Sequence, residues 1–193
     1  MERLVIASGN KGKLREIKEI LGDLFEVVSM AELGFNEDID ETGTTFFENA
    51  LIKAKTVAMA LNENVIADDS GLMVESLNGE PGVHSARYSG EHGNDENNRK
   101  LLLKNLENKE NRKAKFVSSV VLYKKDGSYI DGYGETHGTI LFEETGTNGF
   151  GYDCLFLSDD LKKSFGDATA VEKNLVSHRF RAIQDLYQKL KNK

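Results

Sequence analysis

The sequence predicts an α/β fold with a mixed sheet, on three observations. The chain opens with a β–α–β pattern, changes later to long strands joined by a hairpin signal, and closes on an amphipathic helix. Arg3 to Ala7 (RLVIA) is a short apolar run bounded by Ser-Gly-Asn, the pattern of a buried strand. A helix follows over residues 11–21, with Leu14, Ile17 and Leu21 on one face and Gly22 to stop it. Phe25 to Ser29 reads as a second strand. Thr45-Phe46-Phe47-Glu48 is a capping box opening the strongest helix, to Leu61, in which Phe47, Ala50, Leu51, Ala54, Val57 and Ala58 follow the helical period. Asn64 to Ala67 is another buried strand, running straight into Asp68-Asp69-Ser70-Gly71. Residues 79–98 are polar and too long for a plain connection, which suggests a functional loop or lid. Helix is expected over 98–106. Strands follow over 116–123 and 128–141, joined at Lys125-Asp126-Gly127, where Asp-Gly suits a hairpin turn. A short strand over 153–157 and a helix over 177–191 complete the pattern.

Composition narrows the function. The 193 residues carry 25 Lys and Arg against 32 Asp and Glu, a formal net charge of −7. That length suits one domain, 1–193, built as two lobes without a separable linker, since there is no repeat and Pro81 is the sole proline. The acidic balance speaks against nucleic acid as a partner, which needs a dense basic face. No stretch reaches the roughly 18 apolar residues of a membrane span. The N-terminus turns polar too early for a signal peptide. One cysteine excludes an internal disulfide framework and a cysteine-based zinc site, so a cytoplasmic setting is the default.

Five segments could carry chemistry. Ser8-Gly9-Asn10-Lys11-Gly12-Lys13 lies between a strand and a helix, where exposed helical N–H groups and the positive dipole end can hold phosphate. It is not a Walker loop, and an ordinary strand-to-helix turn would look similar. Asp68-Asp69-Ser70-Gly71 stands at the expected C-terminal end of a strand, where α/β sheets bind ligands. Two adjacent carboxylates repel unless a cation or proton lies between them, and Mg²⁺ would suit them. Asp40-Glu41 supplies further carboxylate before the capping box, and Asn49 and Lys53 share the polar side of the following helix. Gly149-Phe150-Gly151-Tyr152-Asp153 presents an aromatic between glycines, able to stack on a nucleobase, with Asp153 as an acceptor. Ser177-His178-Arg179, with Lys173 upstream, offers donors for a purine 6-oxo group; helix capping is the plainer alternative. Arg15 to Gly22 partly resembles the Nudix helix, but Ile20 and Ala7 stand where that motif needs glutamates.

Taken in order, SGNKGKLREI, ETGTTFFENALIKA, IADDSGL followed by GEPGVHSARYSG, FGYD, and EKN with SHR resemble the inosine triphosphate pyrophosphatase family, over nearly the whole chain. One departure is Cys154, where bacterial members usually have proline after FGYD. The resemblance implies an elongated mixed sheet with flanking helices, in two lobes around a central nucleotide cleft, and a homodimer. It implies attack of water on the α-phosphorus of ITP, dITP or XTP, giving the monophosphate and pyrophosphate. Ser8 to Lys13 would grip the phosphates with Lys53 nearby. Mg²⁺ would be held by Asp69 and by Asp40 or Glu41. Asp69 would accept the proton, while Asp68 tunes it or holds a metal-bound water. Ser70 joins the substrate contacts. Phe150 would stack on the base and Gly151, Tyr152 and Asp153 would complete its pocket. Lys173 joins the substrate contacts, and His178 and Arg179 would donate to the base's 6-oxo group. His84 and His92 have no assigned role. A triphosphatase acting at the γ position and a non-catalytic nucleotide-binding regulator are the competing readings.

Overall fold

In the computed structural model, which describes residues 1–192, six strands form one sheet. They are β1 (Arg3–Ile6), β2 (Glu26–Ser29), β3 (Val65–Val74), β4 (Lys113–Tyr123), β5 (Tyr129–Ile140) and β6 (Phe156–Ser158), in the order β2-β1-β3-β4-β5-β6. β1 runs parallel to both β2 and β3, and β5 runs antiparallel to β6, so the sheet is mixed as expected. Five helices accompany it: α1 (Lys11–Leu21), α2 (Phe46–Leu61), α3 (Asp95–Asn105), α4 (Ala170–Val176) and α5 (His178–Lys191). Among the described residues no helix is long and apolar enough to cross a membrane.

The chain divides into two compact units. The first comprises residues 1–69, 118–134 and the chain from Arg179 onward; the second comprises 70–117 and 135–178. β3, β4 and β5 each contribute residues to both. In the first unit, strand alternation builds two cores. Leu4, Ile6 and Ile66 pack with Ile17 and Leu21 of α1 and Ala182 and Ile183 of α5. The intervening Val5, Val65 and Ala67 pack with Ala50, Ala54 and Val57 of α2. The sheet is therefore apolar on both faces here, which explains why β1 and β3 read as continuous hydrophobic runs. In the second unit Leu72, Val74, Leu102, Leu106, Phe116, Phe156 and Phe165 form a separate core.

α2 forms where the sequence places it, with both halves of the Thr45–Glu48 capping box made. Other elements differ from expectation for identifiable reasons. β3 does not end at Ala67 but continues to Val74, so Asp68 and Asp69 lie in mid-strand rather than at a strand end. Acidic residues followed by glycine look like a turn, yet here nearby cations offset the cost of burying the carboxylates. The 79–98 segment is partly helical: Gly82–Arg87 makes a 3₁₀ turn and α3 begins at Asp95, capped by Asn94. The expected strand over 153–157 is a 3₁₀ turn at Asp153–Leu155 followed by β6. The closing helix is preceded by α4, which has its own capping box between Thr169 and Glu172, and Ser177 is the extended residue between α4 and α5.

Candidate active site

The first unit gathers seven charged side chains around the middle of β3. Successive residues of a strand face opposite sides, so Asp68 points with Ile66 toward α1 and α5, and Asp69 with Val65 and Ala67 toward α2. On its side Asp68 meets Lys13 (Nζ to Oδ1, 3.3 Å), Arg179 (Nε to Oδ2, 3.1 Å) and the Ser118 hydroxyl, which donates to Oδ2 at 3.1 Å. The Arg179 Nη1 also pairs with Glu16 Oε2, and both side chains are buried. On the other side Lys53 Nζ lies 3.7 Å from Asp69 Oδ1 and 3.1 Å from Glu41 Oε1, and it donates to the Asp68 carbonyl at 2.8 Å. Asp69 Oδ2 is buried and has no hydrogen-bond partner among the described residues.

Burial is the main influence on both titrating neighbours. It raises the Asp69 pKa; Lys53 and Lys13 oppose that, while Glu41 and Asp68 add to it. It also lowers the Lys13 pKa, with Asp68 pulling the other way. Lys13, Lys53 and Arg179 face Glu16, Glu41, Asp68 and Asp69, so the cluster keeps one excess negative charge. Among the described residues no group of three or more His, Cys, Asp or Glu side chains is assembled to hold a metal. Asp69 and Glu41, which share Lys53, are the oxygen donors that fit a hard cation. Mg²⁺ is bound by one or two carboxylates, with water and phosphate completing its shell. Asp40 is exposed at the surface, and Glu41 is the residue that reaches Lys53. Asp68, expected to tune Asp69 or hold a metal-bound water, faces Arg179 and Lys13, and its charge adds to the rise in the Asp69 pKa.

The turn into α1 has the anticipated form. Asn10 caps the helix by accepting from the Lys13 N–H (3.1 Å), and its own N–H donates to Ser8 Oγ at 3.1 Å. The N–H groups of Lys11 and Gly12 precede the first helical bond, from Leu14 N to Asn10 O. Gly9, Asn10 and Lys11 are exposed, whereas Lys13 turns inward to Asp68.

In the second unit the Phe150 loop is built around Asp153. The buried Asp153 Oδ2 accepts from the Phe150 N–H (3.0 Å) and pairs with Lys173 Nζ of α4 at 2.6 Å. That ammonium lies 4.9 Å from the Phe150 ring centroid and 5.6 Å from that of Phe165, within cation–π range. Gly149 is required here: its φ is +73°, and a Cβ would collide with the Asp153 carboxylate. Ser70 opens this unit, half-buried in β3. Tyr152, expected to touch substrate, is a core residue whose hydroxyl donates to the Ser85 carbonyl at 2.6 Å; burial raises its pKa. Its hydroxyl is engaged internally, so Tyr152→Phe is expected to lower stability by about 1 kcal/mol while leaving KM near the wild-type value. Urea unfolding and steady-state kinetics check the two halves. His178 stacks on Phe116, with centroids 4.9 Å apart and planes at 15°. His178 and Arg179, expected to donate to one oxygen, are both buried. Gly151 sits at the centre of the loop.

Sequence reading missed Glu16 and Ser118. Glu16 lies three residues beyond Lys13, a helical neighbour, and that spacing was the available signal. Ser118 sits in an apolar strand with no local mark. Cys154 is half-buried, and burial raises its thiol pKa, which disfavours the thiolate. The His84 ring lies 3.2 Å from the Arg87 guanidinium, and His92 is exposed.

A strand that runs into a glycine–lysine turn, beside a strand carrying buried carboxylates matched by lysines, is an arrangement suited to a hydrolase that acts on phosphate anhydrides. The Ham1 family profile matches residues 4–189. The dITP/XTP pyrophosphatase of Haemophilus influenzae is 47% identical, with 98% of this chain and 99% of the relative covered. That of Clostridium perfringens is 44% identical over 99% and 98%. The Staphylococcus aureus Ham1 protein structure superposes with a TM-score of 0.86 at 42% identity, covering 99% of both chains. This chain belongs to the Ham1 family.

Proposed function

We propose that the chain hydrolyses non-canonical purine nucleoside triphosphates, ITP, dITP and XTP, to the monophosphate and pyrophosphate, with Mg²⁺ as cofactor. The carrying observation is the buried Asp69 carboxylate, whose Oδ2 has no hydrogen-bond partner among the described residues and whose pKa burial raises. A carboxylate with a raised pKa is a better proton acceptor than an exposed one. Asp69 takes the proton as the water oxygen bonds to the α-phosphorus. The bond to the bridging oxygen breaks, and the electron pair leaves on pyrophosphate. Lys53 holds Asp69 and Glu41 in place, and Lys11, with the α1 N-terminus, meets the phosphate charge. When bound, Mg²⁺ neutralises phosphate oxygens and supplies a more acidic water; Asp69 and Glu41 would hold it.

In the second unit, base recognition belongs to Phe150, Asp153, Lys173 and His178. Phe150 is a stacking platform, its ring backed by Lys173. Arg179 reads a 6-oxo group from an orientation set by Glu16 and Asp68. An adenine amino group would present a donor to that donor, and a mispaired polar group is rejected strongly. A homodimer and a cytoplasmic location go with this reading, and sedimentation equilibrium reads the first. The deciding assay incubates the protein with Mg²⁺ and ITP, XTP, GTP or ATP and separates products by anion exchange. IMP or XMP with pyrophosphate, and little turnover of GTP and ATP, is the expected result. Diphosphates with orthophosphate would assign a γ-acting triphosphatase instead.

A further inference from the structure

The loop that carries Phe150 is held by α3. Asp95 and Arg99 stand one turn apart in α3 and face the same way. The Arg99 Nη1 donates to the Gly151 carbonyl at 2.9 Å, and Asp95 Oδ2 accepts from the Gly151 N–H at 3.2 Å. Both peptide planes flanking the Gly151 Cα are therefore gripped by side chains of one helical turn. Glu144 Oε1 lies 2.6 Å from Arg99 Nε and fixes the guanidinium.

Gly151 has φ of +61°, and a Cβ placed on it would meet no atom within 4 Å. The Asp153 N–H closes a turn over Gly151 by donating to the Phe150 carbonyl at 3.1 Å, and the two side chains add a hold on the Gly151 peptide groups that packing against its Cα does not supply. On the other side of the ring, Asp153 holds the Phe150 N–H. The phenyl ring is thus suspended between backbone anchors before and after its own Cα.

We propose that Asp95 and Arg99 are positioning residues for purine recognition: by clamping Gly151 they set the plane of the Phe150 ring on which the base stacks. This rests on the reading of Phe150 as the base platform. A stacking surface contributes where its orientation matches the base, and a turn free to rotate spends part of its time misaligned. Because the contact acts in ground state and transition state alike, its loss appears in KM and not in kcat.

The test compares wild type, Asp95→Ala, Arg99→Ala and Asp95→Asn with ITP and Mg²⁺, using inorganic triphosphate as a competing inhibitor without a base. The alanine variants are expected to raise KM for ITP about tenfold, within the range that base–aromatic stacking supplies, with kcat little changed. Inhibition by triphosphate stays at the wild-type level, because the defect concerns only the base. Asp95→Asn keeps an oxygen acceptor for the Gly151 N–H and returns KM toward wild type. Should an alanine variant melt below the assay temperature, Arg99→Lys carries the same expectation, since it keeps the Glu144 pair without the forked second arm. Unchanged KM, or equal weakening of ITP and triphosphate, overturns the proposal. A wild-type protein that leaves ITP intact would overturn the functional reading instead, and this proposal with it.

Discussion

Asp69→Asn is expected to reduce turnover by about 10²–10⁴-fold, the usual contribution of a positioned general base, and to raise the unfolding temperature of the metal-free protein. The two effects share one cause. Burial raises the Asp69 pKa above its ordinary value, so the folded protein holds that proton more tightly than the unfolded chain does. The Asp69 contribution to stability is therefore greatest below the ordinary carboxylate range. It declines as pH rises through the interval up to the raised folded pKa. Above that raised pKa the ionised carboxylate opposes folding, and the neutral amide removes that opposition. The gain in melting temperature should shrink as pH falls below the ordinary carboxylate range, where wild-type Asp69 is protonated in both states. Mg²⁺ should reverse the order by binding the folded wild type at Asp69 and Glu41. Thermal unfolding across pH, with and without Mg²⁺, reads all of this. A variant no more stable than wild type, or one stabilised equally by Mg²⁺, would remove Asp69 from the role assigned to it.

Arg179→Met should be the most destabilising single change in the first unit. The guanidinium is 1% exposed and lies between Glu16 and Asp68, so its removal leaves two buried carboxylates without their shared cation. Breaking a buried ion pair in this way costs about 3–5 kcal/mol. The double variant Glu16→Gln with Arg179→Met should recover part of that loss, because the amide no longer needs a cation, and the two changes will not add. Urea unfolding measures the cycle. In the assay, Arg179→Met should also narrow the preference for ITP over ATP, since the donor that distinguishes a 6-oxo group from an amino group is gone. A variant with wild-type stability would show that Lys13 and Ser118 alone satisfy Asp68. Wild-type selectivity would place base reading elsewhere.

The legible parts of this protein were those governed by local chemistry. The apolar runs of β1 and β3, the period of α2 and the Thr45–Glu48 box stand in the sequence because propensity and capping act over a few residues. The turn into α1 and the carboxylates of β3 were visible for the same reason. A second capping box, Thr169 to Glu172, was equally local, and α4 could have been read from it.

The sequence by itself determined an α/β chain with a mixed sheet, and it marked six of the seven charged residues gathered around β3, Glu16 being the exception. The tertiary structure decided how those residues divide. Adjacent Asp68 and Asp69 look like one ligand pair, yet strand alternation sends them to opposite faces, one to Arg179 and the other to Lys53. Arg179 lies 111 residues from Asp68, and Arg99 52 from Gly151. Tyr152 turns its hydroxyl inward to Ser85, across 67 residues. Partners so far apart leave no mark on local spacing, because burial and charge compensation choose among them only once the chain has packed.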